Sequence, residues 1–96
     1  MNSELIIISE YCSQSHIEPE FIFSLEHEGL IEIRNENNEY FLHISQIDLL
    51  ERYARWYYDL SVNVEGIDII QNLLDRMSEM QKEISRLREI AGLLNK

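Results

Sequence analysis

Apolar positions recur at steps of three and four residues along two stretches of this chain. In the first, Leu49, Leu50, Tyr53, Trp56, Tyr57 and Leu60 fall on one face of a helix, with Arg52, Arg55 and Asp59 mostly between them. This stretch holds the only Trp and three of the five Tyr, so it reads as a packing hub. The pattern weakens at Ser61-Val62-Asn63, where Asn63 is placed to cap a new helix, and it restarts at Val64. The second stretch is the more regular. Ile70, Leu73, Met77, Met80, Ile84, Leu87, Ala91 and Leu94 alternate by three and four, a heptad seam over about three repeats. A helix from Val64 to Leu94 spans about 46 Å at 1.5 Å per residue. The rest of the chain is too small to cover it end to end. The seam, Ile70, Leu73, Met77, Met80, Ile84, Leu87 and Leu94, is therefore assigned to a homodimer, with an antiparallel pair preferred. Folding of the helix back over the N-terminal residues is the alternative.

The first half is patterned in shorter pieces. Glu4 to Ile8 is a strand or an extended lead-in. Ser9 is the expected cap of a helix from Glu10 to Ser15, and Ser15-His16 a turn. Glu18-Pro19 opens a second helix that buries Phe21, Ile22 and Leu25 and ends at Gly29, with Leu30 folding back over its last turn. Two short helices joined by a tight turn form a helix-turn-helix. Asn35 to Asn38 is turn chemistry between β-prone flanks, which predicts a hairpin of Ile31–Arg34 against Tyr40–His43, a wing. Ser45, with Asp48 three residues on, is the expected cap of the hub helix. The predicted fold is mainly α: a winged helix-turn-helix head with its hub helix over residues 1–62, then a long C-terminal coiled-coil dimerisation helix over residues 63–96.

Charge changes this picture. The net charge is −10, and residues 1–50 carry ten acidic side chains against one basic, Arg34. A surface of that sign repels phosphate at long range and attracts a basic partner. Glu18, Glu20, Glu26, Glu28, Glu36 and Glu39 are the candidate protein-binding set, with His27 among them and Phe23 and Tyr58 as candidate anchors. Tyr57 is assigned to the core, and Tyr58 is expected to face away from it.

Other chemistry is sparse. The lone Cys12 forbids a disulfide within the chain and reads as a buried small hydrophobe. The three histidines show no ligand spacing, and the glycines form no phosphate loop, so no metal and no cofactor are expected. No nucleophile, base and orienting group converge, so an enzyme is not expected. No run approaches the length of a membrane span, and the chain reads as cytoplasmic.

The order of these elements resembles a MerR-type winged helix-turn-helix regulator without its effector domain. Within that group ISEYCSQSHIEPEFIFSLEHEGLIEI and RYARWYYDLSVNVEGIDIIQNLLDRM are similar to the chaperone-modulator proteins. That resemblance implies a protein that binds the J domain of a DnaJ-like, curved-DNA-binding co-chaperone and inhibits its action on the heat-shock chaperone it serves; the scarcity of basic residues in the second helix and wing adds the expectation of no direct nucleic-acid binding. The alternative is a MerR-like DNA-binding transcriptional regulator. It conflicts with a second helix, PEFIFSLEHEG, that lacks any Arg or Lys.

Overall fold

The computed structural model describes residues 4–94. β1 (Leu5–Ile7) leads into α1 (Ile8–Ser15) and α2 (Pro19–His27), followed by the hairpin β2 (Arg34–Glu36) and β3 (Glu39–His43). A 3₁₀ turn (Ile44–Gln46) enters α3 (Ile47–Ala54), which runs into a π turn (Arg55–Asp59), and α4 (Val64–Leu94) completes the chain. This is a mainly α protein with a helix-turn-helix core, a small wing and a long C-terminal helix.

The helix-turn-helix is fixed by its ends. His16 takes a left-handed φ of 65° and donates its N–H to the Cys12 carbonyl at 3.2 Å, closing α1. Pro19 stands in the first turn of α2, where the N–H it lacks has no helical partner to lose. At the far end Gly29 adopts φ 79° and donates to Glu26, while Leu30 donates to Leu25 at 2.9 Å. These two bonds are a Schellman closure, and only a residue at ease at positive φ makes it without strain.

The sheet has the order β1-β3-β2, antiparallel throughout, with Ile6 opposite Leu42 and Asn35 opposite Tyr40. The lead-in is thus a strand, and the central strand is β3. The wing is tighter than the sequence predicts. Asn37 and Asn38, at φ 53° and 63°, make a two-residue type I′ turn. Glu36 and Glu39 therefore sit in the ladder, opposite each other, and the chain before Arg34 leaves it. Ile31 and Ile33 pack on the core instead of pairing. The Gln46 side-chain amide ties this segment down by accepting from Glu32 N–H at 2.7 Å and donating to its carbonyl at 2.6 Å.

Two predicted caps are displaced. Ser9 lies within α1, whose N-cap is Ile7. Ser45 lies within the 3₁₀ turn, where its N–H is taken by His43 Nδ1 at 3.0 Å, so it does not cap α3. In each case the backbone enters the helix directly from extended strand geometry or from the 3₁₀ turn, so Ser9 falls two residues past one N-cap and Ser45 one residue before the other. Asn63 does cap α4: its Oδ1 accepts the Gly66 N–H at 2.8 Å.

The core gathers Phe21, Ile22 and Leu25 of α2, Leu42 of β3, Leu50 and Tyr53 of α3, and Ile67 of α4. Trp56 and Leu49 pack at its edge, but Leu60 is 66% exposed, off the face that the helical period assigns it to. The π turn accounts for this. Five residues of wider winding advance the phase, and the segment is closed by Val62 N–H on the Trp56 carbonyl at 3.0 Å. Cys12 is half-buried against the core, and burial, with Glu20 adding to it, raises its thiol pKa.

One buried polar atom, the Tyr11 hydroxyl, has no hydrogen-bond partner among the described residues. A buried hydroxyl left unpaired costs about 1–3 kcal/mol. Tyr11→Phe keeps the ring and removes the orphan, so we expect it to stabilise the fold by about 1 kcal/mol in urea unfolding. An unchanged or lower midpoint would place an ordered partner on that hydroxyl.

Beyond its first two turns α4 leaves the head. Ile67 is fully buried, whereas all residues from Asn72 to Leu94 are exposed, and the molecule extends 61 Å along its long axis. The fold-back alternative does not occur. Among the described residues no helix is long and apolar enough to cross a membrane.

Candidate nucleic-acid interface

The spacing of α2 divides it into two faces. Phe21, Ile22 and Leu25 are buried. Glu20, Phe23, Ser24 and His27, at steps of three and four, form the outward stripe; Phe23 is half-buried and the other three are exposed. The wing lies beside this stripe, because the Phe23 ring meets Tyr40 of β3 edge-on at 5.1 Å. α2 and the hairpin therefore make one continuous surface. Ser24 donates its hydroxyl to the Glu20 carbonyl at 2.9 Å, which leaves its oxygen lone pairs outward-facing and free to accept.

The predicted site residues do not all converge. Glu20, Phe23, Glu26 and His27 share the exposed part of α2. Glu28 is half-buried at the helix end, beside a cavity of about 490 Å³ whose walls include Phe23, His27, Tyr57 and Glu65. Glu39 neighbours the Tyr40 that touches Phe23, but Glu36 is held in an ion pair with Arg34 on its own strand. Glu18 sits at the opposite end of α2, and there the Tyr58 hydroxyl accepts the Glu18 N–H at 3.0 Å. Tyr58 also meets Phe21 edge-on at 5.5 Å. It remains 41% exposed all the same, so it joins a contact with the core edge to an outward surface. Tyr57 stacks on Phe21 at 4.4 Å, as a core-edge residue, while remaining partly exposed. Ser24 was not in the predicted set; its four-residue step from Glu20 was the available signal.

Cations are few on the head. Arg34 is the wing's only one and is partly neutralised by Glu36. Arg52 reaches Gln71 of α4 at 3.4 Å, and Arg55 lies exposed in the π turn. The described residues hold no cluster of three potential metal ligands.

On α4 the seam residues Leu73, Met77, Met80, Ile84, Leu87 and Leu94 are all exposed large apolar side chains. Ile70 is half-buried where the helix still touches the head. Arg86 and Glu83 pair along the helix, an exposed contact of small energetic weight.

Comparison with protein families now adds an independent finding. The family model described as "MerR HTH family regulatory protein" matches residues 6–89, which takes in the head and most of α4. The chain belongs to this family. It is a family of regulators and not of enzymes. Neither curated proteins nor solved structures yield a match.

The match corrects the finer reading of the sequence. What it supports is a MerR-type regulator, so the chaperone-modulator assignment, the J-domain partner and the exclusion of nucleic acid are overturned. The physical reason lies in what charge can decide. Net charge sets the long-range potential, whereas contact chemistry is set by which few side chains the helix turns outward.

Proposed function

We propose that this protein is a dimeric, DNA-binding transcriptional regulator. The observation that carries the reading is the family match, which spans the helix-turn-helix, the wing and most of the long helix together. The outward stripe of α2 supports it chemically. A major groove offers the cytosine amino group as a donor, the purine N7 as an acceptor and the thymine methyl as an apolar contact. Glu20 accepts from the cytosine amine, and His27 donates to a purine. Phe23, at the seam with the wing, meets a thymine methyl. The acidic residues around them oppose the phosphates, so they lower affinity for every sequence and leave recognition to the base edges.

Two copies pair through the exposed seam of α4, and the head over residues 1–62 is carried on the dimerisation helix over residues 63–96. Pairing matters more here than for a basic reader. With Arg34, Arg52 and Arg55 as the available head cations, a dimer neutralises about six phosphates at most, so its salt slope is no steeper than about −5. Affinity has to come from joining two half-sites.

The experiment is fluorescence anisotropy against duplexes enriched from a random pool. Glu20→Ala should relax the preference for cytosine at one position in each half-site, a discrimination of about 1–3 kcal/mol. Glu20→Ala with unchanged base preference would remove α2 from the groove, and a slope much steeper than −5 would mean that other cations carry the contact.

A further inference from the structure

A cleft of about 590 Å³ lies away from the α2 stripe, between the turn of the helix-turn-helix and the π turn. Three features single it out. First, Tyr11 lines it, and Tyr11 is the 91%-buried residue whose hydroxyl lacks a partner among the described residues. Burial, then the nearby Glu51 carboxylate, pushes that phenol above its ordinary pKa, while the neighbouring Ser15 hydroxyl offsets part of the rise. Second, Arg55 stands in the cleft four residues from Glu51 and four from Asp59, yet it forms no ion pair with either in the structure. Opposite charges thus line one wall without neutralising each other. Third, that wall runs from α3 into the π turn, a rare winding that is frequent at functional sites. Ile17 and Ala54 add apolar surface.

A plain anion would meet Glu51 and Asp59, and a plain cation would meet Arg55. A molecule carrying both charges a few ångströms apart meets each with its complement. We propose that the cleft binds a small zwitterion of the α-amino-acid type, its carboxylate on Arg55 and its ammonium on the Glu51 carboxylate one helical turn away. The Tyr11 hydroxyl, after a small shift, donates to the same carboxylate, and the ligand's side chain lies on Ile17 and Ala54. Because the cleft joins the turn before α2 to the segment leading into α4, an occupant braces the head against the dimerisation helix. The site lies apart from the α2 stripe but uses Arg55, one of the three head cations, so its test is made without DNA.

The full-length, isotope-labelled protein is titrated with free α-amino acids one at a time, and backbone amide shifts are followed by NMR. At least one amino acid should give saturable shifts centred on His16, Ile17, Arg55 and Asp59. Arg55→Ala should weaken that binding about tenfold or more, since it removes a charge-assisted contact. Tyr11→Phe should weaken it several-fold while the fold itself becomes more stable, which separates loss of binding from loss of structure. Propionate and propylamine, each carrying one of the two charges, should bind far more weakly. The proposal is overturned if no amino acid saturates, if Arg55→Ala binds as the wild type does, or if either single-charge analogue matches the amino acid.

Discussion

Leu87→Asp should convert the protein from dimer to monomer. Leu87 is 50% exposed in the single chain, within a seam from Leu73 to Leu94 whose large apolar side chains are all exposed. In a paired seam it is a buried knob, and each dimer would contain two of the new carboxylates. Burying both without partners costs at least about 4 kcal/mol, roughly a thousandfold in the dissociation constant. Sedimentation equilibrium should show the wild type dimeric at micromolar concentration and the variant monomeric. The near-ultraviolet signal of Trp56 should be unchanged, because the head is untouched. A monomeric wild type, or a variant that stays fully dimeric, would place the interface elsewhere. DNA affinity should fall together with dimerisation, since a single head has at most three cations to offer.

The second large effect is in the head. Leu42 is fully buried on β3, the strand that pairs with both β1 and β2, and it belongs to the core that contains Leu25, Leu50 and Ile67. Leu42→Ala removes its packing and leaves a cavity that a small core has few ways to close, at a cost of about 2–5 kcal/mol. For a head of this size that is a large part of the total stability. Denaturant unfolding followed through Trp56 should show the midpoint collapse, with the head largely unfolded at the upper end of the range. A loss below about 1 kcal/mol would mean that the sheet does not anchor the core.

Much of the fold is legible in the residues because local signals and long-range packing agree there. Pro19 and Gly29 bracket α2, Asn63 caps α4, and the seam spacing gives α4 its full length. The failures share a cause. At Leu60 the 3.6-residue period is interrupted by a π turn, which nothing in RWYYD announces. At the wing, Asn35 to Asn38 looked like a four-residue turn, but Asn37 and Asn38 both tolerate positive φ and suffice by themselves. Ser9 and Ser45 had the right chemistry for caps, but the backbone passes from β1 and from β3 into the following turns without needing them.

The site was legible in its parts more than in its use. The spacing of α2 sets Phe23 off its buried side, whereas Glu20 and His27 enter the candidate set through charge; the structure places all three on one stripe with Ser24. Their chemistry was read through the charge of the first half of the chain, which pointed to a basic protein partner. Ten carboxylates against one arginine do set a repulsive potential for DNA. That potential limits affinity, and salt screens it beyond about 8 Å at physiological ionic strength. It leaves open what a few carboxylates can do in contact with base edges. Arg34 illustrates the same point, since its pairing with Glu36 removes much of the one positive charge that the wing displays.

The most direct measurement is selection from a random duplex pool with the full-length protein at physiological salt, run beside Leu87→Asp. Enrichment of a sequence built from two related half-sites, lost in the monomeric variant, is the expected result. A pool that emerges without any enriched sequence from the wild-type dimer would contradict DNA binding as the function of this protein.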